Sequence, residues 1–449
     1  MKSKTVIIPI ETKVREFHSK LLLSCVLAEN GVRVILGGSQ QIRGGLPVWP
    51  TGLFLDKSVS PSRARLFGEY KQWGHKIAAW CEEGLTIVDP NEYLPRKIDA
   101  QAMRQVEQFY AWGPYQAGLV KGKCSDSVEK IVLAGNPRID LLRKPFRAIF
   151  DEEVKKLNDR CGRYILINTN FSLCNHQKGE GAFMRLQKDA GKLKTPEDEA
   201  FARQWVAHKT AIFEAFKAFI PKLCTQLSEM NVIIRPHPSE NHGTWAKLAE
   251  PFKNCQVVHE GTVVPWIIGS DVLIHNGCTT GIEAYLLDKP VLAYQPVTNS
   301  VYDAELPNGV SEQIYSESDL LRRAVEIVQN RENPRHSAEQ EAFIAQYISQ
   351  TAGELASDFI AREIGGILSR PFGRGAIESA LAFMRRVLWR IRHPRGPVAP
   401  DTVYHRQKFP GLSKMEVEQA INLFTKCSGR FAGVHVRELG SDCFMLQEK

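Results

Sequence analysis

Residues 232–294 read VIIRPHPSENHGTWAKLAEPFKNCQVVHEGTVVPWIIGSDVLIHNGCTTGIEAYLLDKPVLAY, and the reading of this stretch decides the fold. Short apolar runs at Val232–Arg235, Gln256–His259, Val272–His275 and Val291–Tyr294 alternate with helical spacing over Gly243–Phe252, Val263–Gly269 and Thr279–Leu287. Strands that alternate with helices build a parallel sheet covered on both faces. Each strand runs into a polar loop, and ligands of open α/β sheets bind at the carboxyl ends of the strands. The loops at 168–171, 235–241, 259–262 and 275–281 are therefore expected to converge on one site.

The same rhythm extends outward. A strand at Tyr164–Asn168, a polar loop over Asn170–Lys194 and a long helix within Glu197–Met230 come before it. Nearer the start, strand Val6–Ile10 leads into a helix over Arg15–Asn30, with Phe17, Leu21, Leu22, Cys25 and Val26 at helical spacing, and then into strand Val32–Leu36. Further strands are expected at Ile77–Trp80, Gln108–Ala111 and Lys130–Ala134. The expected fold class is α/β: two doubly wound Rossmann-like domains, at 1–150 and 151–370, facing each other across a cleft, then C-terminal helices in an extension at 371–449.

A chain of 449 residues, 43% hydrophobic, is long enough for two or three such domains. Lys and Arg exceed Asp and Glu by 58 to 50, a basic excess that suits an anionic partner without requiring nucleic acid, and no nucleic acid is expected. No run of about 18 uncharged apolar residues occurs, so no membrane-spanning helix is expected. The first apolar run is cut by Glu11 and Lys13, which argues against a signal peptide and for the cytoplasm. The ten cysteines form no CxxC pair and have no His at zinc-ligand spacing; they read as reduced thiols, and no metal site is expected. Ala376–Arg392 reads as a basic amphipathic helix, with Arg385, Arg386, Arg390 and Arg392 among Leu381, Met384, Leu388, Trp389 and Ile391. It suits peripheral contact with an anionic membrane, at the inner face of the cytoplasmic membrane, or a solvated face packed on the protein.

Three segments could carry chemistry. Arg235-Pro236-His237-Pro238-Ser239-Glu240-Asn241 closes a strand, and its prolines hold an imidazole and a guanidinium at the sheet edge in a way that suits a phosphate. His275-Asn276-Gly277-Cys278-Thr279-Thr280-Gly281-Ile282-Glu283 turns from strand to helix through two threonines, an anion site or simply a capped helix. Trp80-Cys81-Glu82-Glu83-Gly84 sets two carboxylates on a turn, where each can raise the other's pKa and make one a general base; the alternative is a solvated turn. Glu11, Lys13 and Arg15 place charge at the mouth of the first strand, and Asn168 and Asn170 could hydrogen-bond a sugar or linking phosphate. Neither Walker A nor GxGxxG occurs.

In combination, the Gly135-Asn136-Pro137-Arg138-Ile139-Asp140 turn, His237-Pro238 and Cys278–Ala284 resemble the bacterial surface-carbohydrate biosynthesis family of GT-B glycosyltransferases. The resemblance runs from about residue 5 to 365 and on to Lys408-Phe409-Pro410. Glu82-Glu83-Gly84 and His237-Pro238 are also similar to the acidic and His-Pro motifs of bacterial sialyltransferases and polysialyltransferases. That resemblance implies that Glu82 or Glu83 is the acceptor-activating base, that His237 meets the leaving phosphate, and that Thr279 and Thr280 cradle it. Arg235, Ser239, Glu240, Asn241, Glu260, His275, Asn276 and Glu283 complete the expected donor side in the second domain; the first domain is the acceptor side.

The expected function is metal-independent transfer of a sugar from a nucleotide-sugar donor onto a glycan or glycolipid acceptor of capsule or lipopolysaccharide. The donor is a CMP-activated acidic sugar, 3-deoxy-octulosonic or nonulosonic, and no cofactor is expected. The alternatives are a CDP-polyol phosphotransferase of the teichoic-acid type, whose chains also show Pro-Arg-x-Asp turns and His-Pro loops, a nucleotide-sugar 2-epimerase, and a non-catalytic assembly scaffold.

Overall fold

The computed structural model describes residues 4–332, 334, 336–372, 381, 384–385, 387–388, 391 and 408–449. The expected basic helix at 376–392 lies, but for six positions, outside the described residues. Among the described residues no helix is long and apolar enough to cross a membrane.

Fourteen strands are present among the described residues. The first six are β1 (Thr5–Ile10), β2 (Arg33–Gly38), β3 (Leu53–Asp56), β4 (Lys76–Trp80), β5 (Gln108–Ala111) and β6 (Ile131–Leu133). Then come β7 (Tyr164–Asn168), β8 (Asn231–Arg235), β9 (Cys255–Val257), β10 (Val272–His275), β11 (Val291–Tyr294) and β12 (Glu312–Ile314). The last two are β13 (Val434–Gly440) and β14 (Cys443–Glu448).

The chain divides into two units. One comprises residues 1–149 and 345–449, the other 150–344. In the first, β2-β1-β3-β4-β5-β6 are parallel, and β14 joins antiparallel to β2 with β13 outside it. Strand order reverses between β1 and β3, so that is this sheet's topological switch point. In the second unit all six strands are parallel in the order β12-β11-β10-β7-β8-β9. Counted within the unit this is the doubly wound Rossmann order, and its switch point lies between β7 and β10, where Asn168 pairs in register with His275.

The central strands of each sheet are buried because they are apolar on both faces. Ile7, Phe54, Ile77 and Phe109 carry the first core, with Phe67 and Met103 from the helices. In the second, Ile165, Ile167, Val232 and Ile274 meet Phe216, Phe219, Ile220 and Leu223 of the long helix Pro196–Gln226, and Trp245. That helix opens on a capping box, with Thr195 accepting from the Asp198 amide and Asp198 accepting from Thr195. All ten cysteines are free thiols.

Three expectations need correction. The second unit ends at Ile344 rather than at residue 370, because the chain beyond it is fastened to the first unit. The buried Asp140 carboxylate accepts from the Ala356 amide at 2.9 Å and from the amide and hydroxyl of Ser357 at 2.8 and 2.7 Å. This docks helix Ala356–Ser369 beside helix Lys13–Glu29, and gives the Gly135–Asp140 turn a structural purpose. In the C-terminal extension, expected to be helical, the described residues 408–449 hold helix Lys414–Ser428 and then a hairpin that completes the first sheet. The polar loop after β7 holds a short helix, Ala182–Asp189.

Candidate functional site

At the carboxyl end of the second sheet the four loops named from the sequence do meet. The Asn170 amide donates to Asn276 Oδ1 at 2.9 Å, and Asn276 Nδ2 donates back to the Asn170 carbonyl at 3.2 Å. This reciprocal pair ties the β7 loop to the β10 loop across the switch point. Thr169 Oγ1 donates to Glu240 Oε1 at 2.9 Å, which joins the β8 loop. Arg235 donates to the carbonyls of Glu260 and Gly261 at 2.6 and 2.7 Å, which joins the loop after β9.

Within this cluster the residues divide by where their polar atoms point. Glu240 is buried at 1% exposure. Its Oε1 also accepts from the amides of Phe171 and His237, and its Oε2 from Trp245 Nε1 and Asn175. The carboxylate holds the loop together from inside and has no face left for a ligand. His275 is equally internal: its Nδ1 accepts from the amides of Gly277 and Cys278, and its Nε2 meets Ser311 Oγ at 2.9 Å. Burial, with the Lys209 charge adding to it, pulls this imidazole down to about 3, so it stays neutral and shapes the turn. Gly281 lies against it, and a Cβ there would sit 2.5 Å from His275 Nε2, which is why glycine follows the two threonines.

His237 is exposed, and the Ser239 amide donates to its Nδ1 at 3.2 Å, which leaves the proton of a neutral ring on Nε2. Asn241 is exposed and caps helix His242–Ala249 through the Gly243 amide. Glu260 is exposed and paired with Arg160. Thr279 is exposed, helical in φ and ψ, and makes no side-chain cap, while Thr280 and Glu283 are half-buried on the seven-residue helix Thr280–Leu286. Asn168 is buried, and its Oδ1 finds no hydrogen-bond donor among the described residues. Its position at the carboxyl end of the switch-point strand is where open α/β sheets bind their ligands.

The first unit has its own charged cluster at the corresponding strand ends. Glu11 follows β1 and Lys57 follows β3, and their ion pair at 2.9 Å bridges that switch point; Lys408 joins at 3.2 Å. Burial alone would raise the Glu11 carboxyl, but the two lysines outweigh it and hold it at about 2. Lys13 is turned to the C-terminal segment, bonded to Glu416 and the Gly411 carbonyl at 2.6 Å each. Arg15 reaches the Glu82 carbonyl at 3.4 Å.

Glu82 and Glu83, expected to raise each other's pKa, lie in different surroundings. Glu83 is exposed and ion-paired with Lys97; burial works to raise its carboxyl, yet the Lys97 hydrogen bond and charge bring it below the usual range. Glu82 is buried. Its Oε1 accepts from Trp80 Nε1 at 2.7 Å and lies 3.6 Å from Lys20 Nζ, and its Oε2 has no hydrogen-bond partner among the described residues. Lys20, itself buried, bonds Glu16 and the Pro9 carbonyl at 2.7 Å each, so a carboxylate–ammonium–carboxylate row runs under the loop.

The sequence reading missed Lys20, Lys57 and Lys209. For Lys209 a signal existed: it precedes Ile212, Phe213 and Phe216 by three, four and seven residues, which puts an ammonium on a helix's apolar stripe.

No family model matches the chain, and no curated protein matches it either. Among solved structures it is similar to the wall teichoic acid polymerase TagF, at 11% identity over 82% of this chain and 90% of that one, with a TM-score of 0.51. The fold is of the GT-B kind. Two other solved structures align at TM-scores below 0.5. One is the UDP-GlcNAc 2-epimerase from Neisseria meningitidis bound to UDP-GlcNAc, at 12% identity, 82% and 100% coverage and a TM-score of 0.48. The other is that from Methanocaldococcus jannaschii, at 11%, 82%, 100% and 0.49.

Proposed function

We propose that the protein transfers a group from a nucleotide-linked donor to an acceptor hydroxyl in building a bacterial surface polymer, and that the group is a polyol phosphate in the manner of teichoic-acid assembly. The observation that carries this reading is the closure of the β7 and β10 loops on one another at the switch point of the second sheet, where Asn168, the last residue of β7, has an unsatisfied side-chain acceptor. Such a crevice takes the nucleotide end of a donor. The polymerase whose fold the chain shares favours a polyol phosphate over the CMP-linked acidic sugar that the His-Pro and acidic motifs suggest.

Both chemistries build negative charge on the departing nucleotide phosphate, and stabilising that charge lowers the barrier. In this proposal His237 Nε2–H donates to it, and Asn170, Ser239, Thr279 and Thr280 line the approach. An acceptor hydroxyl attacks phosphorus, the bond to the departing nucleotide breaks, and the hydroxyl proton passes to a carboxylate. We assign that task to Glu82 rather than Glu83 because Glu83 is hydrogen-bonded to the Lys97 ammonium, whereas Glu82 keeps its ammonium, Lys20, at 3.6 Å and has an oxygen with no hydrogen-bond partner among the described residues.

A thermal-shift screen with CMP, CDP, UDP and GDP tests the donor, since a ligand specific to the folded state at 100 times its Kd adds about 2.7 kcal/mol of apparent stability. CDP is expected to give the largest shift, and CDP-polyol to be turned over when an acceptor is supplied. Release of free epimerised sugar from a UDP-sugar without acceptor would overturn the reading in favour of epimerisation.

A further inference from the structure

Lys209 sits in the middle of helix Pro196–Gln226 and is only 7% exposed. An ammonium has three donors to satisfy. This one makes a single hydrogen bond among the described residues, to the Asn276 carbonyl at 3.3 Å, longer than a good N–H···O contact. Asp303 is close enough for its charge to be felt, but its carboxylate is engaged by His208 Nε2 and by the Asn299 amide, each at 2.7 Å. Burial pulls the Lys209 ammonium below its usual pKa, as expected of a cation with too few acceptors around it.

The carbonyl that Lys209 touches belongs to Asn276, the residue whose side chain closes the switch point with Asn170. The incompletely paired cation thus touches the loop after β10, and the last residue of that strand, His275, pairs in register with Asn168, the residue with the unsatisfied Oδ1. A phosphate arriving there offers oxygens to the idle ammonium protons and a charge to balance the buried one.

We propose that Lys209 provides the buried positive charge that holds the phosphate of the nucleotide donor at the switch point between β7 and β10. The proposal rests on the function proposed above and names the residue that gives that site its preference for an anion.

The test uses the full chain and whichever of CMP, CDP, UDP and GDP gives the largest thermal shift, titrated calorimetrically beside its uncharged nucleoside. Lys209→Gln removes the charge while keeping a polar side chain of similar bulk. It is expected to weaken nucleotide binding about 10- to 100-fold while nucleoside binding stays within about two-fold of wild type. Unchanged nucleotide affinity, or equal losses for nucleotide and nucleoside, would overturn the proposal, the latter by making Lys209 a structural tie. Asp303→Asn is a second, independent variant: with the competing anion gone, nucleotide affinity should rise about three-fold or more, and no rise counts against the proposal. Failure of the wild type to bind any of the four nucleotides strikes the proposed function itself, and is told apart because it precedes any substitution.

Discussion

At Glu83 the Lys97 ammonium is hydrogen-bonded to the carboxylate, whereas at Glu82 the ammonium of Lys20 stands 3.6 Å off, one oxygen accepts from Trp80 and the other has no hydrogen-bond partner among the described residues. Glu82→Gln should therefore lower kcat by about 10²-fold or more, the range for loss of a general base, and Glu83→Gln by less than about ten-fold. Steady-state turnover with both variants correctly folded by circular dichroism decides it, and the reverse order would move the base to Glu83. Glu11 gives a pH signature. Its folded carboxyl lies at about 2 against an ordinary 4.5, so the unfolded chain binds the extra proton between those values. The stability it contributes is complete above about 4.5 and is lost as pH falls toward 2. Discounted for partial exposure, Glu11→Gln should cost about 1–3 kcal/mol at pH 7 and progressively less below pH 4. Urea midpoints across that range measure it, and a deficit constant with pH would exclude this ion cluster as the cause. Residue roles were the least legible part of the sequence. Glu240 and His275 stand in motifs that look made for a ligand, yet folding turns both inward, and only three-dimensional neighbours reveal that.

Helix Ala356–Ser369 is fastened at its start by one carboxylate. Asp140→Ala would leave the Ala356 and Ser357 amides and the Ser357 hydroxyl without their buried acceptor. At roughly 1–3 kcal/mol per orphaned group, and with some water entering, about 3–5 kcal/mol of stability should be lost. Thermal unfolding would show it as a fall of several degrees in Tm, and a variant melting with wild type would mean the helix is held by its apolar face alone. At the other edge, a Cβ on Gly37 would lie 2.3 Å from the Asp442 carbonyl oxygen, so Gly37→Ala should loosen the hairpin from β2, seen as faster amide exchange in Phe444–Leu446. Elements were legible where a run of apolar residues is bracketed by polar ones: β5, β7, β10 and β11 fall where the sequence puts them. β3 (Leu53–Asp56) went unmarked although it is as long as β5, β10 and β11, and β12 escaped because two of its three residues are polar and exposed. β14 escaped because its partner, β2, is some 400 residues away along the chain, a pairing no local pattern announces.

At the scale of the molecule, the alternation of strands and helices was enough to give two doubly wound sheets, because that alternation is local. The unit boundary at 344 was not legible, since it depends on a contact between Asp140 and Ser357 that sequence spacing does not encode. Removing 408–449 should leave β2 as a bare edge, with the amides and carbonyls that now bond β14 open to other chains. Light scattering after size exclusion is expected to show aggregates, and a monodisperse truncated protein would mean that β2 is protected by other means.

The first unit is written in two instalments, with the second unit between them. On the ribosome, residues 150–344 have every strand of their sheet in hand before the last two strands of the other sheet have been translated. The N-terminal half must wait for Asp140 to meet Ser357 and for β2 to meet its final neighbour. A nascent chain stalled between 345 and 430 therefore carries a finished later unit and an unfinished earlier one, the reverse of the usual order of birth.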